Sequence, residues 1–268
     1  MIHSLTPLQA LGIFAAGIVA GTINTVVGSG TLFTFPVLLQ FGYSPVVANV
    51  SNTVGLVPGS ASGAFGYRDE LRGQRARMLR LSAASVTGGI AGAVLLLVLP
   101  ASAFKAIVPG FIAIALVLIV LQPRLSAALA ARGVHKRELA GPAATAAVFA
   151  AGIYGGYFGA AQGIMLLSIL ALSLNDDLQR INALKVVLAG LVNLVAGIVF
   201  VIALVAVMLE MIDAESHRPG REIRQIGQNC HQDVPRFARQ NQIMGSVVNY
   251  HVICVIRKSA HTIGHQKA

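Results

Sequence analysis

The chain has 268 residues, of which 55% are hydrophobic and only 11% are Asp, Glu, Lys or Arg, with a formal net charge of +10. A soluble globular domain carries about 25% charged residues, so this composition, with its mean hydropathy of +0.73, excludes an ordinary soluble enzyme. The charges are also unevenly spread: residues 1–209 hold 12 Lys/Arg and 5 Asp/Glu, whereas the 59 residues from Glu210 onward hold 8 and 5.

No Asp, Glu, Lys or Arg occurs in residues 1–67, 81–104, 106–123, 139–175 or 186–209, and a bilayer-spanning helix needs about 20 mainly apolar residues. Thr6-Pro7 opens the first segment, with Thr6 as N-cap and Pro7 at the first helical position. With no Lys or Arg ahead of Leu8, and an apolar stretch longer than the usual signal-peptide core of about 7–15 residues, this segment is expected to stay in the protein as a membrane helix. It runs from Leu8 to Val27 and is interrupted by Gly28-Ser29-Gly30. The apolar piece that follows, Thr31 to Phe41 with Pro36 inside it, is under about 20 Å long as a helix and too short to cross alone. Gly42-Tyr43-Ser44-Pro45 is a turn signal. Val46 to Tyr67 reads as a long helix, polar for a membrane segment.

A basic loop is expected over 68–80, with Arg68, Arg72, Arg75, Arg77 and Arg80 against Asp69 and Glu70. Two clean spans come next, Leu81–Leu99 and Phe104–Leu121, joined at Pro100-Ala101-Ser102. A second basic loop, 124–138, holds Arg124, Arg132, Lys136 and Arg137 against Glu138. Two spans separate the basic loops, so both lie on one face, which the positive-inside rule makes cytoplasmic. The uncharged 1–67 stretch leaves the side of the N-terminus open. A pI near 10.3 in a soluble protein would point to nucleic acid; here the loop charges account for it, and no nucleic-acid partner is expected.

From Leu139 the opening pattern returns. A helix to Tyr157 breaks near Gly159, Gln162 and Gly163; a short segment, Ile164–Leu174, leads to a polar turn. A long helix then runs from Asp176 to Met208, capped by Asn175, with Asp176 and Asp177 at its positive N-terminal end. Gly17 and Gly21 align with Gly152 and Gly156, and Gly30 with Gly163. From there an ungapped offset of 133 pairs Asn49 with Asn182, Asn52 with Lys185 and Ser60 with Asn193. The expected architecture is an all-α polytopic helical bundle of two related repeats, with broken and short helices and an incomplete second repeat. Its units are 1–123 for the first repeat, 124–138 for the basic cytoplasmic loop, 139–209 for the incomplete repeat and 210–268 for a polar tail.

Duplicated halves with interrupted helices at matching places point to a secondary transporter. A mid-membrane break leaves free backbone N–H groups, which with the helix dipole attract an anion. The alternative is that the glycines only let helices pack, since Gly17/Gly21, Gly88/Gly92 and Gly152/Gly156 are small-xxx-small pairs. Gly28-Ser29-Gly30 is not a dinucleotide fingerprint, because the segment before it is too long for a strand and no acidic residue follows at the ribose position. Lys185 falls close to mid-bilayer, where a cation costs about 2.5–3.5 kcal/mol and is a functional candidate by default. It would bind an anion, pair structurally, or snorkel to the interface. Asn24, Asn49, Asn52, Asn182 and Asn193, with Gly28, Ser29, Gly30, Gln162 and Gly163, complete the candidate substrate site; interhelical hydrogen bonding is the rival role for each Asn. The spans contain no His, Cys or carboxylate, so no catalytic pair, metal or cofactor is expected.

The runs GTINTVVGSGTLFTFPVLLQFGYSPVVANVSNT, FGYRDELRGQRARMLRLS, GGIAGAVLLLVLP and FKAIVPGFIA, then GIYGGYFGAAQGIMLLSIL and INALKVVLAGLVNLVAGIVF, resemble the TauE/SafE sulfite exporter family over roughly residues 8–205. The resemblance implies a permease of duplicated halves in the cytoplasmic membrane, moving sulfite, sulfonates or related small organic anions, with self-association left open. It also implies two further spans after Met208. Residues 210–268 instead carry Arg218-Pro219-Gly220-Arg221, five histidines and no spanning run. Three readings of this tail stand: the product of a frameshift in a permease, a cytoplasmic regulatory tail, or a zinc site from Cys230, His231, His251 and Cys254, whose spacing departs from the usual C-x₂₋₄-C. The rival function is a non-transporting membrane protein, truncated or serving as an anchor.

Overall fold

The computed structural model describes residues 7–130, 141–174 and 176–216. The described residues form eight helices: α1 (Pro7–Val26), α2 (Thr31–Gln40), α3 (Pro45–Gly66), α4 (Arg75–Val98), α5 (Ala101–Ala130), α6 (Pro142–Tyr157), α7 (Gln162–Ser173) and α8 (Leu178–Ser216). The order of long helix, break, short helix, turn and long helix occurs twice, as α1–α2–α3 and α6–α7–α8. At 10 and 12 residues, α2 and α7 are about 15 and 18 Å long, against a hydrocarbon core of about 30 Å. By length and composition, Arg75–Val98 and Leu178–Glu210 are each able to cross a membrane alone.

Three boundaries differ from the sequence expectation, for one reason: an apolar-run criterion stops a helix at its first charge, but the backbone has no reason to stop there. The 68–80 stretch is a loop only as far as Gln74, and Arg75, Arg77 and Arg80 form the first turns of α4. The buried Gln74 ends the loop, its amide donating to Glu70 O at 2.8 Å and its own carbonyl accepting from Met78 N at 2.8 Å. Helix α5 runs on through Arg124 to Ala130. Helix α8 continues past Glu210 to Ser216; its 39 residues make it about 58 Å long, well beyond one bilayer. Thr6 and Asn175 as caps, the second basic loop beyond Ala130, and the tail beyond Ser216 with its Cys/His set lie outside the described residues. Of the residues expected at the start of α8, Asp177 acts as its cap, its carboxylate accepting from Gln179 N at 3.1 Å.

Lipid is as apolar as Leu, so helices in a bilayer associate through close backbone packing. Helix α4 packs most extensively on α6, glycine against glycine. A Cβ at Gly92 would sit 2.0 Å from Ile153 O, and one at Gly156 would sit 2.1 Å from Gly89 O. Gly88/Gly92 and Gly152/Gly156 are therefore packing pairs, whereas Gly17 has nothing within 4 Å. Phe35, Phe104 and Phe158 are each at most 2% exposed. Phe158 lies edge-on to Phe35 at 5.2 Å and to Phe104 at 5.9 Å, so an aromatic cluster seats the second break.

Candidate functional site

Both breaks are built by the same backbone device. In the first, Val27 N and Gly28 N both bond to Ile23 O, at 2.8 and 3.1 Å; in the second, Phe158 N and Gly159 N both bond to Tyr154 O, at 2.9 and 3.1 Å. Gly28 and Gly159 then take φ of +86° and +76°, the left-handed conformation that ends a helix and favours glycine. Ala161 is also left-handed, at φ +58°, a strain of about 1 kcal/mol or more for a residue with a Cβ. The Tyr154 hydroxyl steadies this stretch by donating to Ala160 O at 2.5 Å.

The two breaks meet. Gly163 N donates to Gly28 O at 3.0 Å, and a Cβ on Gly163 would lie 2.3 Å from Gly28 Cα. Around this crossing, each long helix holds the end of the broken helix from the other half. Lys185 of α8, only 1% exposed, donates from Nζ to Thr25 O at 2.9 Å and Val26 O at 3.3 Å, the last carbonyls of α1. These lie at the negative end of the helix dipole, where a cation is favoured. Fully buried Asn49 of α3 donates from Nδ2 to Tyr157 O, the last carbonyl of α6, at 3.0 Å, leaving its Oδ1 without a partner.

The other candidates fall into two groups. Ser29, Gly30, Gln162 and Gly163 are buried at the crossing. Gln162 folds over α6, so that a Cβ on Gly155 would meet its amide at 2.2 Å, and its Nε2 has no partner. Asn52 is committed to bracing α2: its Nδ2 donates to Thr31 Oγ1 at 2.9 Å, and the Thr34 hydroxyl donates to its Oδ1. Asn24 makes only a 3.5 Å contact with Ser60 Oγ. Asn182 is a turn before Lys185 and donates to the Tyr67 hydroxyl at 2.7 Å, away from the breaks. Asn193 is buried between Gly190 and Gly197, which face Ser60 and Val54 of α3. Nothing in the sequence pattern marks Thr31, Thr34, Tyr154 or Tyr157 as partners, or carbonyls as the counterpart of Lys185.

The expected free N–H groups are there in part. Among the described residues, Ser29, Gly30, Thr31, Ala160 and Ala161 have N–H groups with no hydrogen-bond partner; those of Gln162 and Gly163 are used, on Gly159 O and Gly28 O. A cavity of about 110 Å³ opens beside α2, lined by Thr34, Asn52 and Ser51 on one side and by Ala16, Gly17 and Ala20 on the other.

At the basic end of the bundle, Asp176 ties the halves together through Arg77 at 2.8 Å and Arg180 at 2.9 Å. Burial alone pushes the Asp176 carboxyl up, but hydrogen bonds from Arg77, Asp177 N and Arg180 outweigh it and hold the group below the usual carboxylate range. The stabilisation is therefore present above the unfolded value, near 3.9, and is lost as pH falls through the lower folded value. Asp176→Asn should lower stability at pH 7 by about 2 kcal/mol, the worth of a charged hydrogen bond. That is a drop of roughly 4–8 °C in melting temperature for a chain of this size. The gap between variant and wild type closes in strong acid; a gap that stays constant with pH would show that the carboxylate charge is not what holds the turn.

Broken helices crossing in a glycine-packed helical bundle, with helices long and apolar enough to cross a membrane, define the class: a multi-pass α-helical membrane protein. The family model for the TauE/SafE sulfite exporter matches residues 13–214, and the chain belongs to that family. It is 30% identical over 106 residues to a probable membrane transporter protein, ORF9, from Sinorhizobium sp, a stretch covering 40% of each chain. No solved structure matches it significantly.

Proposed function

We propose that the protein is a permease for a small oxyanion of the sulfite or sulfonate type in the cytoplasmic membrane, working by alternating access around the crossing of the two breaks, and that it is not an enzyme. The single observation that carries this reading is the Lys185 ammonium, buried at the crossing with no ion pair to a carboxylate among the described residues and held by Thr25 O and Val26 O. Such a site offers an anion a positive field without an opposing negative side chain. The family's name supports the substrate class. Asn24, Asn49 and Asn193 would add neutral polar groups along the path, whereas Asn52 and Asn182 are held by Thr31, Thr34 and Tyr67. The alternation itself would come from one half rocking on the other about the Gly28–Gly163 contact. Proteoliposomes holding the full chain should release preloaded labelled sulfite or methanesulfonate above empty-vesicle leak. Flux equal to that leak for both anions would leave the non-transporting reading standing.

A further inference from the structure

We infer that Gln162, together with the backbone N–H groups of both breaks, binds the anion, and that Lys185 positions this site without touching the ligand. The inference rests on the permease reading above.

Lys185 already has acceptors. Its Nζ donates to the two last carbonyls of α1, which fixes the ammonium against that helix end and offsets part of its field. Gln162 is in the opposite condition. It is 97% buried, as its 3% exposure states, yet its Nε2 donor has no acceptor. The amide lies directly over Gly155, where an added Cβ would meet it at 2.2 Å. The N–H groups of Ser29, Gly30 and Thr31 in the first break, and of Ala160 and Ala161 in the second, are also without acceptors, and all five residues are buried. A buried donor left unmade costs about 1–3 kcal/mol, and native proteins leave few of them.

Several such donors within three residues of one backbone crossing ask for a ligand that is mostly acceptor. An oxyanion with three oxygens on one centre supplies that in a single group, and two half-helix N-termini give it the positive ends of two dipoles. The Asn52 and Asn182 amides, by contrast, have their donors satisfied within the protein.

The test uses the full chain with methanesulfonate, which stays ionised across the working pH range. Gln162→Met keeps the size and removes the donor; Kd by equilibrium dialysis and KM for flux should both rise about tenfold to a hundredfold, the worth of one hydrogen bond to a charge. Gln162→Glu should bind only in acid, where its carboxyl is protonated and donates, while the wild type shows no such dependence. A merely structural role for Gln162 would not produce that pH profile. Lys185→Met should lower the melting temperature and shift Kd by less than Gln162→Met does. The opposite order, with Gln162→Met at wild-type Kd and Lys185→Met raising it tenfold, overturns the assignment. A wild type without flux sinks the permease reading instead, while the dialysis measurement still judges Gln162.

Discussion

Lys185→Ala should abolish anion flux in proteoliposomes, to the level of empty vesicles, and lower the melting temperature. Two separate losses drive this. The first is local: Thr25 O and Val26 O lose the ammonium that they hold at 2.9 and 3.3 Å, leaving part-buried carbonyls unmatched at the negative end of the α1 dipole. Unpaired buried acceptors cost about 1–3 kcal/mol, and the dipole interaction adds up to about 2 kcal/mol in a partly buried setting. The second is functional: without the ammonium, the last carbonyls of α1 turn a neutralised helix end into a negative one beside the anion's path. The measurement is initial flux of labelled sulfite together with a melt in detergent. Wild-type flux from Lys185→Ala would show that neither the charge nor the held helix end matters to permeation.

How much of this was legible in the sequence follows from the kind of signal each feature leaves. The breaks were readable because glycine clusters and the sudden shortening of apolar runs mark them, and the structure has α1 ending at Val26 and α2 starting at Thr31. Helix ends at charged residues were not, since Arg75 and Glu210 interrupt hydropathy without interrupting hydrogen bonding. The burial of Lys185 could be foreseen from its distance to the helix start. Its partner could not, because the partner is backbone some 160 residues earlier and carries no residue type. The same holds for Asn49, whose acceptor is Tyr157 O. Gln162 over Gly155 is a complementarity of shape between two residues seven apart across a break, and it leaves no periodic trace. Asn182 looked equivalent to Asn49 by the offset of 133, but the structure commits it to Tyr67.

Gly163→Ala should be a severely damaging single-methyl change at the crossing. The added Cβ would lie 2.3 Å from Gly28 Cα, 2.8 Å from Gly28 O and 3.0 Å from Gly28 C, whereas non-bonded carbons settle at about 3.5–4.0 Å. All three obstacles are backbone, so no side chain can turn aside and the two breaks must part by more than about 1 Å. Parting breaks the bond from Gly163 N to Gly28 O and moves Gln162, the next residue along, off its seat on Gly155. Overpacking costs about 1–3 kcal/mol and the lost bond about 1 kcal/mol more. In enzymes a displacement of about 1 Å at the reacting groups costs roughly a hundredfold in rate, and a loss of flux of that order is expected here. Gly17→Ala is the matched control: nothing lies within 4 Å of its Cβ position, and alanine favours the helix by about 1 kcal/mol over glycine, so flux and melting temperature should hold or rise slightly. Equal behaviour of the two variants would mean that the breaks do not touch in the working protein, and the shared site would then have no physical basis.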